Sequence, residues 1–127
     1  MNYLNSKDTI CAIATGGGMS AIAVIRISGY KAISITNSIF SKDIKNTKSH
    51  TIHFGTIIDN NNIIVDEVLV SIFKDNNSFT GEESVEISCH GSIYIQNKIT
   101  QVLISKGCRI ATGGEFTMRA FKNGKID

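Results

Sequence analysis

The sequence predicts one α+β domain, a mixed β-sheet carrying about three helices. β-branched apolar runs and helix-period runs follow one another in irregular order, two strand runs sit close enough for a hairpin, and no segment repeats. A strictly parallel sheet needs a crossover between every pair of strands, and this order does not provide one. With 127 residues and 42% hydrophobic content, the chain has the size of one ordinary domain with its own core.

The elements follow from the local patterns. Thr9 to Thr15 and Ala21 to Ser28 are apolar, β-branched runs flanking Gly16-Gly17-Gly18, which reads as strand, turn, strand. A helix is expected from about Gly29 to Phe40, with Ala32, Ile35, Ile39 and Phe40 on one face. The lysine- and asparagine-rich stretch Ser41 to Ser49 is a surface connection. His53 to Ile58 and Ile64 to Phe73 form a hairpin through Asp59-Asn60-Asn61-Asn62, residue types that tolerate positive φ. Asp75 to Glu83 is turn-rich, and Val85 to Cys89 alternates as a strand. Ser92 to Lys106 sets Ile95, Ile99, Val102 and Leu103 at helical spacing and ends at Gly107. Arg109 to Ala111 is a last short strand, and Glu115 to Lys122 a final helix.

Composition narrows the function classes. Thirteen Lys and Arg against eleven Asp and Glu leave a net charge of +2, a weak electrostatic basis for tight nucleic-acid binding by this chain alone. The first residues lack the apolar stretch of a secretory signal, and no run approaches the roughly 20 apolar residues of a membrane span. A cytoplasmic protein with no membrane partner is therefore expected. Cys11, Cys89 and Cys108 are odd in number and show no Cys-x-x-Cys spacing, which argues against a disulfide framework or a zinc site.

The glycine run lacks the Lys and Ser/Thr of a P-loop and does not read Gly-x-Gly-x-x-Gly, so neither a Walker-type GTP site nor a dinucleotide site is expected. Arg26 interrupts the apolar strand Val24-Ile25-Arg26-Ile27, where an unpaired buried guanidinium is costly. It must snorkel outward, pair, or face a ligand. In Val85-Glu86-Ile87-Ser88-Cys89-His90 the side chains of Glu86, Ser88 and His90 share a polar face. A carboxylate on a rigid strand can accept two parallel hydrogen bonds from an amidine-like edge, such as that of a pterin; a solvated strand face is the plainer reading. His90-Gly91-Ser92 precedes a helix, with Ser92 as its candidate cap. No Gly-x-Ser-x-Gly elbow or third orienting group turns Ser92 and His90 into a hydrolase site, and no catalytic residue is assigned.

Several segments together resemble one family. They are Asp8-Thr9-Ile10 with Ala14-Thr15, Ile25-Arg26-Ile27-Ser28-Gly29, Asn77-Ser78-Phe79-Thr80-Gly81-Glu82, and Glu86-Ile87 with Cys89-His90-Gly91. The series closes with Gly114-Glu115-Phe116-Thr117-Met118-Arg119-Ala120-Phe121-Lys122-Asn123-Gly124-Lys125-Ile126-Asp127. In this order and spacing they are similar to the amino-terminal domain of the MnmE family, also called TrmE, along essentially the whole chain.

The resemblance implies a domain similar to the tetrahydrofolate-binding domain of glycine-cleavage aminomethyltransferases, one that binds 5-formyl- or 5,10-methylene-tetrahydrofolate and homodimerises. It carries the folate contacts onto Arg26 of the R-I-S-G motif, Glu86 of the strand before C-H-G, and Lys125 of the N-G-K motif. It further implies that the chain is the amino-terminal part of a bacterial tRNA-modification GTPase, ending before the region that uses GTP, potassium and magnesium, and inactive alone. The implied partners are the FAD-dependent GidA/MnmG protein and, through the full complex, tRNA modified at its wobble uridine. The family often places two prolines after Ala-Thr and another before Gly-Glu-Phe, where this chain has Gly16-Gly17 and Gly113, and Met19-Ser20-Ala21 replaces Arg-Gly-Gly. A more flexible first loop is the expected consequence.

Overall fold

Strand alternation shapes the core in the computed structural model of the chain, which describes residues 7–15, 18, 20–74 and 78–125. The strands are β1 (Ile10–Ile13), β2 (Ile22–Ser28), β3 (Thr51–Ile58), β4 (Ile64–Phe73), β5 (Ser84–His90) and β6 (Arg109–Ile110). They form one sheet in the order β3-β4-β5-β2-β1-β6, antiparallel throughout except for the parallel pair β1 and β6. The helices are α1 (Ala32–Ile39), α2 (Ile93–Ser105) and α3 (Glu115–Lys122). The architecture is the expected α+β fold with a mixed sheet.

One face of the sheet is the core. Ala23, Ile25 and Ile27 of β2, Val85, Ile87 and Cys89 of β5, and Val68, Val70 and Ile72 of β4 are buried in one cluster with Ile35 and Ile39 of α1 and Ile99 and Leu103 of α2. Ile87 is fully buried in the middle of it, so Ile87→Ala would cost about 2–5 kcal/mol. The residues between them, including Ile22, Arg26, Leu69, Glu86 and Ser88, emerge on the opposite face. That face holds the site.

The element ends differ from the sequence reading where the backbone imposes its own limits. The first helix starts at Ala32 and not at Gly29, because Gly29 has φ +139° and a Cβ there would lie 2.6 Å from Thr9 Cα. β5 is longer than expected, since Ser84 pairs with Ser28 and His90 with Ile22 along its whole edge with β2. The Asp59–Asn62 turn is as expected, with Asn62 at φ 60°. Ser92 caps α2, its Oγ accepting from Ile95 N at 3.0 Å. The turn assigned to Gly16-Gly17, the altered position Met19, and the motif residues Asn77, Ile126 and Asp127 lie outside the described residues. Among the described residues, no helix is long and apolar enough to cross a membrane.

Candidate functional site

Arg26 and Glu86 stand directly opposite each other on β2 and β5. Their strand neighbours Ile25, Ile27, Val85 and Ile87 point into the core, so alternation puts both charges on the other face. Arg26 Nε donates to Glu86 Oε2 at 2.9 Å, with both side chains about three-quarters buried at 25% and 30% exposure. The pair is local to the face but distant in sequence.

Two aromatic rings complete the arrangement. The guanidinium carbon of Arg26 lies 5.1 Å from the centre of the Phe79 ring and 5.6 Å from that of Phe116, both within cation–π range. A cleft of about 420 Å³ opens here, lined by Ala12, Arg26, Phe79, Thr112, Gly113 and Phe116 among others. Glu86 is not in the lining; it meets the cleft through Arg26. Its Oε2 takes the Arg26 bond, and Oε1 has no hydrogen bond among the described residues.

Lys125, the third residue carried over by resemblance, sits elsewhere. Its backbone N donates to Ala120 O at 2.8 Å just past α3, and its exposed side chain packs on the 78–83 loop, with Cγ 3.1 Å from the position of a Cβ at Gly81. The structure therefore brings Arg26 and Glu86 together, while Lys125 borders the loop that carries Phe79. A second, larger cleft of about 890 Å³ touches the same loop and is lined by Lys7, Tyr30, Gly81, Glu82, Lys122 and Asn123, among others.

A buried ionic network borders the cleft, whose lining includes Thr112 and Glu115, and sequence reasoning missed it. Glu115 is fully buried and accepts from Arg109 Nη2 at 2.6 Å, Arg119 Nη2 at 3.3 Å and Thr112 N at 2.9 Å. Burial pushes its carboxyl up, yet the Arg109 and Thr112 hydrogen bonds win and hold it below the ordinary carboxylate value. The Arg109 guanidinium is raised in turn by its bonds to Asp8 and Glu115. Arg119, only 4% exposed, donates through Nη1 to Asp8 O and to Glu82 Oε1, each at 2.8 Å. Ser28 Oγ donates to the same Glu82 oxygen at 2.8 Å and shares a hydrogen bond of 2.6 Å with Thr80 Oγ1. The available signal was the i, i+4 placement of Glu115 and Arg119 on a short helix that also has Phe116 and Ala120.

A cation, two aromatic faces and a carboxylate with one oxygen free of hydrogen bonds among the described residues are groups whose chemistry suits a flat, polar, partly anionic molecule. Similarity to known proteins bears on which one. The family described as GTP-binding protein TrmE N-terminus matches residues 9–125. The tRNA modification GTPase MnmE of Flavobacterium johnsoniae is 58% identical over 126 residues, covering 96% of this chain and 27% of that protein. The proteins of the same name from Parabacteroides distasonis and Thermoanaerobacter pseudethanolicus are 51% identical over 124 residues and 50% identical over 125, each covering 94% of this chain and 27% of the relative. The chain thus spans about a quarter of the length of the curated relatives it matches.

Proposed function

The chain belongs to the TrmE amino-terminal family, and on that premise we propose that it is the folate-binding and homodimerisation domain of a tRNA-modification GTPase. The folate reading is carried by the Arg26–Glu86 pair, whose Arg26 lines a cleft together with Phe79 and Phe116. A cleft of about 420 Å³ is in the range of small-molecule sites and suits the bicyclic end of a folate, with the rest of the molecule extending outward.

The residues present fit 5-formyl- or 5,10-methylene-tetrahydrofolate. Glu86, just outside the cleft lining behind Arg26, has an Oε1 without a hydrogen bond among the described residues for the donor edge of a pterin that reaches past Arg26, and Phe79 and Phe116 offer apolar faces to its ring. Arg26 and Lys125 supply positive charge to the polar and anionic groups of the folate, including its glutamate tail. When bound, the folate supplies the one-carbon unit; this chain's residues bind and orient it and keep water from one side of it.

In the full protein, the domain serves a reaction that adds an aminomethyl-type group at position 5 of the wobble uridine of tRNA, together with the FAD-dependent GidA/MnmG protein. GTP, potassium and magnesium belong to parts of that protein outside this chain. Dimerisation has its own support. On the face opposite α1 and α2, Phe54 and Leu69 are cross-strand partners, 55% and 45% exposed, and Ile22 and Ile52 are about two-thirds exposed on the same face. An uncovered apolar face of this kind marks an interface, and a second copy of the chain is its occupant.

One observation favours a second reading, a dimerisation scaffold without folate affinity: Arg26 and Glu86 already pair with one another through one hydrogen bond, and Lys125 stands apart from them. The thermal midpoint with and without 5-formyl-tetrahydrofolate decides between the two, with folic acid as the less related control. Saturation at about 100 times the dissociation constant adds about 2.7 kcal/mol, a rise on the order of 10 °C for a domain of this size. No rise at millimolar ligand would leave the scaffold.

A further inference from the structure

We propose that Arg119, Glu82, Ser28 and Thr80 form a positioning network that holds Phe79 and Phe116 against Arg26, and so sets the ligand affinity of the cleft without touching the ligand. The affinity part rests on the folate reading above; the positioning part does not.

Phe79 is not fixed by its own burial, and Phe116 is only partly buried. Phe79 is 48% exposed on a loop, where holding a side chain in one place costs conformational entropy. Phe116 lies in the first turn of α3, whose N-cap Gly114 makes no side-chain capping bond. What fixes them lies just behind. Thr80, next to Phe79, is fully buried and shares its hydroxyl bond with Ser28, which is anchored in β2 two residues from Arg26. Thr80 O accepts from Asn123 Nδ2 at 2.9 Å, which ties the loop to the end of α3. Gly81 allows that approach, with φ +79° and Asn123 Cβ only 2.6 Å from where its own Cβ would be.

Arg119 joins the two walls. One guanidinium reaches Glu82 on the Phe79 loop, Glu115 beside Phe116, and Asp8 ahead of β1. Its fork makes these bonds in a fixed geometry, so the loop and the helix take their places relative to β2 from one side chain. Neither Arg119 nor Thr80 lines the Arg26 cleft. They act through Phe79 and Phe116.

Thr80→Val tests this, because it keeps the shape and removes the hydroxyl, and Ser28 keeps its bond to Glu82. Thr80→Ser is the conservative rescue, and Asn123→Ala, at an exposed position on the same network, serves if Thr80→Val does not fold. The first readout needs no ligand: the Arg26 Nε–H resonance, which the nearby rings shift. It should move in Thr80→Val or Asn123→Ala toward its position in Phe79→Ala, and stay in place in Thr80→Ser. The second is the affinity for 5-formyl-tetrahydrofolate, expected to weaken about fivefold in Thr80→Val and by no further factor when Phe79→Ala is already present. An unmoved Arg26 signal in folded Thr80→Val, or affinity losses that simply add, would overturn the proposal. A moved signal in a protein that binds no folate would keep the positioning network and sink the folate reading alone.

Discussion

Arg26 and Glu86 show how much one residue's neighbours decide. Each charge was legible in the sequence, Arg26 as a break in an apolar strand and Glu86 as part of a polar strand face. That they meet was not legible, because the bond joins residues 60 positions apart and depends on the β2–β5 register. The partly exposed pair contributes about 0–1 kcal/mol to stability, so Glu86→Ala should leave the fold intact. Folate affinity should fall by about 10- to 150-fold, the loss of hydrogen bonds to a charged group, as read by titration calorimetry. Unchanged affinity with a native circular-dichroism spectrum would remove Glu86 from the site. Glu115 gives a pH prediction at the same scale. Its carboxyl is held below the ordinary value in the folded state, so its contribution is present above the unfolded-state pKa and is lost as pH falls through the lower, folded one. Denaturant midpoints measured down the acid range should show that loss, and Glu115→Gln should flatten it.

At the scale of elements, the third helix is held by charges that sequence patterns assign to solvent. The sequence reading places its limits at Glu115 and Lys122, as the structure does, because helix formation over eight contiguous residues is local information. It could not find that Glu115 and Arg119 are buried, since their partners Asp8, Glu82 and Arg109 arrive from three other segments. Breaking a buried ion network by removing one member leaves uncompensated charge, so Arg119→Ala should cost about 3–5 kcal/mol in chemical unfolding. The β3–β4 hairpin was legible in its turn and in β4, its residues being contiguous, but β3 starts two residues earlier than expected, at Thr51, and its register shift between Ile57 and Ile58 left no sign in the sequence. By contrast, the close contact between Gly91 and the segment after the glycine run was invisible: a Cβ at Gly91 would lie 2.0 Å from Ser20 O. Gly91→Ala should therefore lower the thermal midpoint by the equivalent of about 1–3 kcal/mol, whereas Gly113→Ala, with nothing near its Cβ position, should not.

For the whole molecule, the sheet separates two tasks. One face is sealed by α1 and α2 and holds the hydrophobic core; the other carries the Arg26 cleft near β1 and α3 and the apolar patch of Phe54, Leu69 and Ile22 toward β3. If that patch is the dimer surface, Leu69→Lys should halve the mass in sedimentation equilibrium and leave the circular-dichroism spectrum unchanged, because Leu69 contributes nothing to the buried cluster. A monomeric parent, or a Leu69→Lys dimer, would place the interface elsewhere. On the proposed reading a reduced folate binds at the Arg26–Glu86 cleft, and its titration as 5-formyl-tetrahydrofolate, followed residue by residue through amide shifts, shows whether it does. Shifts concentrated at Arg26, Phe79, Glu86 and residues 112–117 are predicted; shifts confined to the Lys7, Tyr30 and Lys122 cleft, or none at millimolar ligand, would contradict it.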